Sequence, residues 1–244
     1  MKPGVLVFDV EGTLTDKSGR YIEDDLLERL RVLHRSGFSL ILCSGRDVSY
    51  LVEKINEWIL PITDFVAENG SVIVVRGKEI LTYNPSPFPR EKIIEKIESI
   101  DILAKGEFDP AKKHMITIYP RGFLKGKDYS SKDIQILLKK TKQILKGFDA
   151  TITYSSASVD IIPKGVDKGT GLKKLCEKSG IDPSTILFCG DGDNDVPAAK
   201  YVKKNRGIVA VPKNAAPQLK KIADFVSKKE NGKGVKEILG EYVR

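Results

Sequence analysis

Two carboxylates follow a short apolar run near the start of the chain. Residues 5–8 are all apolar, Asp9 and Glu11 come after them, and a turn at Gly12 and Thr13 follows. An uninterrupted apolar run of this kind is typical of a strand that is buried in a parallel sheet. Ligand sites in open α/β sheets lie beyond the carboxyl ends of such strands. A pair of carboxylates at that place can bind a divalent cation, attack an electrophile or transfer a proton.

Three other groups of polar residues stand at the boundaries of predicted elements. They are Ser44, Gly45 and Arg46 after a predicted strand over 38–43, Lys168 near the start of a predicted helix over 167–179, and residues 190–195 after a predicted strand over 185–189. The last group reads Gly-Asp-Gly-Asp-Asn-Asp and contains Asp191, Asn194 and Asp195. Each group alone is only suggestive. Their order along one α/β sheet, which is acid, hydroxyl, lysine and acid cluster, is far more specific.

This set of residues suits phosphoryl transfer, in which catalysis consists of positioning and electrostatic stabilisation of the transferred group. Asp9 can attack phosphorus as a carboxylate nucleophile and form an aspartyl-phosphate. Since carboxylates repel a phosphate, we expect a divalent cation between them, with Asp9 and Asp191 as oxygen ligands of Mg²⁺. The Ser44 hydroxyl and the backbone N–H groups of Gly12 and Thr13 can donate hydrogen bonds to phosphate oxygens.

Lys168 is predicted at a place where a cation is unfavourable in an isolated helix. A positive charge in the first helical turn opposes the helix dipole by about 0.3–1 kcal/mol. A bound phosphate and nearby acids would outweigh this penalty, which favours a role in the site. The alternative is a surface lysine that tolerates the penalty.

The acid cluster also matches the first positions of a calcium-binding loop. Such a loop needs glycine at its sixth position and glutamate at its twelfth. Val196 and Val202 occupy these positions when Asp191 is counted as the first. The sequence therefore argues against a calcium loop.

The order of predicted elements indicates an α/β fold with an insertion. Strands and helices alternate from residue 4 to about residue 67 and again from residue 167 to the end, which predicts one doubly wound parallel sheet. A proline-rich break over 84–89 and a turn at 155–157 fall in the part between. We expect a core domain of residues 1–81 and 160–244, and a smaller α+β cap domain of residues 82–159.

With these motifs in order, the chain resembles the haloacid dehalogenase superfamily of phosphohydrolases, and the implied core covers about two-thirds of the chain. The resemblance implies that Asp9 is the nucleophile, Glu11 the general acid and base, and Lys168 the orienting cation. The implied magnesium ligands are Asp9, Glu11 through its backbone carbonyl, Asp191 and Asp195. The implied phosphate- or substrate-binding residues are Gly12, Thr13, Ser44, Gly45, Arg46, Lys168, Asn194 and Asn214.

Glu11 departs from the family's first motif, which has aspartate two residues after the nucleophile. Glutamate has the same functional group and a similar intrinsic pKa, but one more methylene. A misplacement of about 1 Å can lower a rate about 10²-fold. The residue therefore leaves open a slower enzyme, a shifted backbone that accommodates the longer side chain, and a phosphoester-binding homologue that does not turn over.

The expected function is that of a Mg²⁺-dependent phosphatase acting on a small phosphorylated metabolite. The chain is most similar in size and motifs to archaeal phosphoglycolate phosphatases and to sugar-phosphate phosphatases. In this family a cap of the expected kind supplies substrate contacts and excludes water. A phosphomutase of the same fold is the alternative, although the residues of the fourth motif, 190–195, favour a hydrolase.

Composition limits the other classes of function. The net charge of the 244-residue chain is +8, but its lysines alternate with apolar residues along predicted helices, which favours solvated helix faces over a nucleic-acid site. No apolar run approaches the ~20 residues of a membrane span, so we expect no membrane partner. Cys43, Cys176 and Cys189 have no metal-ligand spacing and are expected to be buried thiols. With no signal peptide predicted, the expected compartment is the cytoplasm, and the expected state is a monomer or homodimer.

Overall fold

The computed structural model describes residues 3–16, 21–83, 88–99, 106–122, 126, 130–154 and 158–243. The chain divides into two compact units. The first is formed by Met1–Thr82 and Asp167–Arg244, and the second by Tyr83–Val166. Most of the proline-rich break, residues 84–87, and the predicted turn at 155–157 lie outside the described residues.

Twelve strands and eight α-helices are defined in the part of the chain that the structure describes. The strands are β1 (Val5–Phe8), β2 (Ser39–Cys43), β3 (Phe65–Ala67), β4 (Val72–Val75), β5 (Lys78–Leu81), β6 (Gly106–Phe108), β7 (Ile116–Pro120), β8 (Ala150–Tyr154), β9 (Val159–Pro163), β10 (Ile186–Cys189), β11 (Ile208–Val211) and β12 (Phe225–Val226). The helices are α1 (Asp24–Arg35), α2 (Val48–Glu57), α3 (Arg90–Glu98), α4 (Ser131–Ile144), α5 (Lys168–Ser179), α6 (Val196–Lys204), α7 (Pro217–Lys220) and α8 (Asn231–Tyr242). None of these described helices is both long enough and apolar enough to cross a bilayer.

The first unit is built on an eight-stranded sheet in the order β12-β11-β10-β1-β2-β3-β4-β5. Strands β12 to β3 of this order are parallel, and β4 and β5 are added antiparallel as a hairpin. From the central β1 the chain first builds β2 and β3 on one side, and it later returns to build β10, β11 and β12 on the other. The strand order therefore reverses beside β1, which is where open α/β sheets bind ligands. The predicted α/β fold class is confirmed.

Both faces of this sheet are covered by helices, because its strands are apolar on both sides. Leu6 and Phe8 of β1 point toward the layer of α1, α2 and α8, whereas Val5 and Val7 point toward α5, α6 and α7. The alternation follows from the two-residue period of a strand. Helix α1 packs through leucines at helical spacing, namely Leu26, Leu30 and Leu33.

The second unit has its own sheet and its own core. Four antiparallel strands are ordered β6-β7-β9-β8. Helices α3 and α4 cover one face, where Ile93, Leu137 and Ile161 belong to a single apolar cluster. This unit is the α+β part of the chain.

The boundary between the two units lies later in the chain than residue 160, where the sequence analysis places it. Strand β9 pairs with β7 and β8 along Val159–Pro163, so residues 160–166 belong to the second unit. At the other boundary the structure divides the chain after Thr82 rather than after residue 81. Strand pairing between distant segments sets the first of these limits, and no local signal in the sequence marks it.

Candidate active site

Three of the predicted site segments meet at one edge of the parallel sheet. Asp9 directly follows β1, and its backbone N–H donates to the carbonyl of Cys189 over 2.9 Å, which continues the β1–β10 ladder. Ser44 directly follows β2 and is fully buried, and its N–H donates to the carbonyl of Val66 over 2.9 Å. Residues 190–195 follow β10. Because the strands are parallel, their carboxyl ends bring these segments to the same edge.

Lys168 reaches this edge from the start of α5. Asp167 caps the helix, since its side chain accepts from the N–H of Thr170 over 2.8 Å and the Thr170 hydroxyl accepts from the Asp167 N–H over 2.9 Å. The Lys168 side chain is fully buried, and its Nζ lies 2.9 Å from Asp9 Oδ1 and 2.6 Å from Asp195 Oδ1. The structure thus places Lys168 among the acids and excludes the surface-lysine alternative.

Glycine allows α5 to come close enough to deliver this side chain. A Cβ on Gly169 would lie 2.5 Å from the carbonyl oxygen of Pro197, at the start of α6. Backbone atoms cannot yield as a flexible side chain can. Glycine is therefore required by the close approach of the two helices.

The carboxylates of Asp9, Asp191 and Asp195 form one cluster. Each offers an oxygen that lies within 4.8 Å of the others. Asp195 Oδ2 also accepts from the backbone N–H groups of Asp191, over 3.0 Å, and Gly192, over 2.9 Å. Asp195 therefore orders the loop that carries Asp191, in addition to pairing with Lys168.

The first loop of the chain is fitted to Asp191. Thr13 Oγ1 donates to Asp191 Oδ1 over 3.2 Å. Gly12 has a φ of +78°, and a Cβ there would lie 2.4 Å from Asp191 Oδ2. Both the backbone conformation and the space require glycine at this position.

The carboxylates of the cluster outnumber its ammonium group, which favours binding of a cation. Burial raises the pKa of Asp9 well above its ordinary value, and the neighbouring Asp195 raises it further, whereas Lys168 lowers it. Burial opposes the charge of Lys168, but Asp195 and Asp9 outweigh that effect and raise its pKa. One ammonium group thus faces three carboxylates. Oxygen donors with excess negative charge are the ligands that Mg²⁺ and Ca²⁺ prefer, so the residues fit a divalent cation.

Glu11 does not belong to this cluster through its carboxylate. Its side chain is paired with Nε of Arg46, which follows Ser44 after β2. The sequence analysis assigns Glu11 to the metal through its backbone carbonyl and Arg46 to the substrate. In the structure the two side chains are paired with each other, and both assignments stay predictions.

Asn194 and Asn214, two of the predicted binding residues, form hydrogen bonds with other groups of the protein. Asn214 Nδ2 donates to the carbonyl of Gly12 over 2.8 Å and to Asp191 Oδ2 over 3.2 Å, and its Oδ1 accepts from the N–H of Asn231 over 2.8 Å. Asn194 Nδ2 donates to Asn69 Oδ1 over 3.0 Å. The two asparagines therefore tie separate loops together at this edge of the sheet.

Asn69 is a member of the site that the sequence analysis did not include. It lies in a short 3₁₀ turn after β3 with a φ of +52°, and its N–H donates to the carbonyl of Ser44 over 3.2 Å. A Cβ on Gly45 would lie 3.0 Å from Asn69 Oδ1. Asparagine tolerates the left-handed conformation, so the Asn-Gly pair that begins two residues after the end of β3 is the signal that points to it.

Known proteins resemble this chain in sequence and in fold. Residues 6–106 and 98–239 match the family described as haloacid dehalogenase-like hydrolase. A phosphoglycolate phosphatase from Methanopyrus kandleri is 28% identical over 240 residues, which cover 96% of this chain and 95% of the relative. A phosphoglycolate phosphatase from Staphylothermus marinus is 27% identical over 235 residues, which cover 95% of this chain and 94% of that protein. The crystal structure of a haloacid dehalogenase-like hydrolase from Bacteroides thetaiotaomicron has the same fold, with a TM-score of 0.77, 19% identity and coverage of 98% of this chain and 99% of that one. The chain belongs to the haloacid dehalogenase-like hydrolases.

Proposed function

We propose that this protein is a Mg²⁺-dependent phosphatase that hydrolyses a small phosphorylated metabolite through a covalent intermediate on Asp9. Membership of the family, together with relatives that are phosphatases over nearly their whole length, makes the protein a phosphoric monoester hydrolase. The metal, the residue roles and the substrate are the finer parts of the proposal. The observation that carries them is the cluster of Asp9, Asp191 and Asp195 beside Lys168 at the edge of the sheet, in which Asp9, Asp195 and Lys168 are buried.

In the first step Asp9 attacks phosphorus. A bond forms between an oxygen of Asp9 and phosphorus, and the bond between phosphorus and the leaving oxygen breaks. Glu11 gives its proton to the leaving oxygen, which departs as an alcohol. Lys168 orients Asp9 and favours its ionised form against the opposing effects of burial and Asp195, and Ser44 donates to a phosphate oxygen.

In the second step the aspartyl-phosphate is hydrolysed. Glu11 takes a proton from water, the water oxygen attacks phosphorus, and Asp9 leaves as a carboxylate with inorganic phosphate as the product. The divalent cation would be held by Asp9, Asp191, Asp195 and the backbone of Glu11, and it would neutralise charge on the transferred group. After the second step Asp9 is a free carboxylate again and Glu11 has regained its proton.

Phosphoglycolate is the first substrate that we propose, and sugar phosphates are the second. The full-length likeness to two phosphoglycolate phosphatases supports this order. We also propose that Tyr83–Val166 acts as the cap that supplies substrate contacts, as the family resemblance implies.

The test is release of inorganic phosphate from p-nitrophenyl phosphate, phosphoglycolate and a panel of sugar phosphates, with and without Mg²⁺. The expected result is metal-dependent release that is lost in Asp9→Asn. Release that does not differ between wild type and Asp9→Asn would exclude the proposal. Recovery of an isomerised sugar phosphate in place of inorganic phosphate would identify a phosphomutase instead.

A further inference from the structure

Two side chains that the proposed reaction does not otherwise use lie beside Glu11. Its carboxylate pairs with Arg46 Nε. Burial raises the pKa of the Tyr50 hydroxyl, and the nearby Glu11 carboxylate raises it further. The Arg46 guanidinium carbon lies 4.7 Å from the centroid of the Tyr50 ring. We propose that Arg46 and Tyr50 are positioning residues for Glu11, which fix the longer side chain in a conformation that is competent for proton transfer. This inference rests on the proposed function.

Arg46 and Tyr50 are themselves fixed by backbone hydrogen bonds. Tyr50 lies in the first turn of α2, and its N–H donates to the side chain of Asp47, the N-cap of that helix, over 3.0 Å. The N–H of Arg46 donates to Ser44 Oγ over 3.1 Å. Both positioning residues are therefore fixed relative to the end of β2, which neighbours β1 in the sheet.

The extra methylene of Glu11 explains why such a support is needed. Glutamate has one more rotatable bond than aspartate, so it has more conformations to lose before it can act. The Arg46 guanidinium contacts one carboxylate oxygen and is itself placed against the Tyr50 ring, and this arrangement selects one of these conformations. The carboxylate of an aspartate at this position would end one methylene short of this pair.

Stability does not account for the arrangement. The side chains of Arg46 and Glu11 are 36% and 21% exposed. Ion pairs with this degree of exposure contribute little to folding. We therefore expect variants of Arg46 to fold, and the contribution of the pair to appear in the rate.

A double-mutant cycle tests the inference. The four proteins are wild type, Arg46→Gln, Glu11→Gln and the double variant, each measured for kcat and KM at saturating Mg²⁺. With Glu11 in place we expect Arg46→Gln to lower kcat about 10- to 100-fold, since misplacement of a reacting group has effects of that size, with KM changed less than about threefold. In the Glu11→Gln background the same substitution is expected to change kcat less than about twofold, because the group that it positions is gone.

Three variants complete the design. Arg46→Lys keeps the charge but loses the planar fork, so we expect partial recovery of kcat relative to Arg46→Gln. Glu11→Asp is expected to be slower than wild type, although it restores the residue of the family's motif. Arg35→Gln is the matched control, because it removes an exposed ion pair with Glu28 elsewhere in the same unit and is expected to leave kcat unchanged.

The outcomes separate the inference from the proposed function. If Arg46→Gln changes kcat by the same factor in both backgrounds, or if KM rises while kcat is kept, Arg46 acts on the substrate directly and the inference is wrong. A Glu11→Asp variant that is faster than wild type also contradicts it. A wild-type protein without phosphatase activity removes the proposed function, and the inference with it.

Discussion

The ammonium group of Lys168 lies between two carboxylates in a place that water does not reach. Its side chain has no exposed surface, and those of Asp9 and Asp195 are 8% and 0% exposed. Removal of one partner from a buried ion pair is strongly unfavourable, because it leaves an uncompensated charge. At this scale the site depends on a balance of charges rather than on any one group.

Lys168→Met therefore has a predicted effect on both rate and stability. We expect kcat to fall at least about 10³-fold, since Lys168 stabilises charge on Asp9 and on the transferred group. We expect the free energy of unfolding to fall by about 3–5 kcal/mol, because Asp9 and Asp195 lose their buried cation. Steady-state kinetics and urea titrations measure the two effects. Lys173→Met is the control, because it removes an exposed ion pair with Glu177 on the same helix, and we expect its kcat and stability to be near those of wild type. A Lys168→Met variant as active as this control would contradict the account.

Asn214 offers a second prediction at this scale. Its amide is bonded to Gly12, Asp191 and Asn231, so it orients a proposed metal ligand. We expect Asn214→Ala to weaken Mn²⁺ or Mg²⁺ binding about 10- to 100-fold, as loss of such outer partners does, while KM at saturating metal changes little. Isothermal titration with the metal alone measures the first effect. Unchanged metal affinity together with weaker inhibition by inorganic phosphate would instead support the phosphate-binding role that the sequence predicts.

Elements bring these residues together from points that are far apart in the chain. Strands β1, β2 and β10 deliver Asp9, Ser44 and Asp191 at one sheet edge, and α5 delivers Lys168. The approach of α5 to the start of α6 is fixed by the small size of Gly169. The position of Lys168 thus depends on the packing of two helices.

Gly169→Ala tests this dependence. The added Cβ would lie 2.5 Å from the Pro197 carbonyl oxygen, so we expect a loss of about 1–3 kcal/mol in unfolding free energy from overpacking, with lower kcat. Gly240→Ala is the matched control in α8, where nothing lies within 4 Å of the added Cβ. There alanine is expected to stabilise the helix by about 0.5–1 kcal/mol. Urea titrations of both variants measure the difference; equal stabilities would show that α5 and α6 are not packed as closely as described.

The sequence predicts the elements of the first unit well, because each leaves a local pattern. An apolar run that ends in polar residues identifies β1, β2 and β10, and leucine spacing identifies α1. Strand β6 leaves no such pattern in its three residues Gly106–Phe108, and the limit at residue 166 depends on the pairing of β9 with distant strands. Similarly, the role of Tyr50 follows from its contact with Arg46, so that no spacing along the chain reveals it. Asn69 leaves only a partial signal, because the Asn-Gly pair after β3 indicates a turn but not its partners.

At the scale of the whole molecule, each unit has its own apolar core, and all three cysteines lie in the first. Cys43, Cys176 and Cys189 are buried and unpaired. Burial raises the pKa of the Cys176 thiol to about 11, and it raises the pKa of the other two thiols as well. Since the thiolate is the reactive form, the native protein offers little of it at neutral pH.

Thiol reactivity is therefore a probe of the first unit. We expect native protein to react slowly with DTNB at pH 8, and the three thiols to react rapidly once the chain is unfolded in guanidinium. The rate in increasing denaturant reports opening of the sheet that carries the site. A cysteine that reacts at once in the native protein would contradict the described packing.

Covalent capture of the phosphoryl group tests the central claim most directly. Glu11→Gln removes both the proposed acid of the first step and the proposed base of the second. p-Nitrophenolate leaves without a proton, so after rapid acid quench of this variant with p-nitrophenyl phosphate and Mg²⁺ we predict a mass increase of one phosphoryl group. Peptide mapping is predicted to locate it on Asp9, and Asp9→Asn is predicted to show none. A phosphoryl group on another residue, or phosphate release by Asp9→Asn at the wild-type rate, would contradict the account.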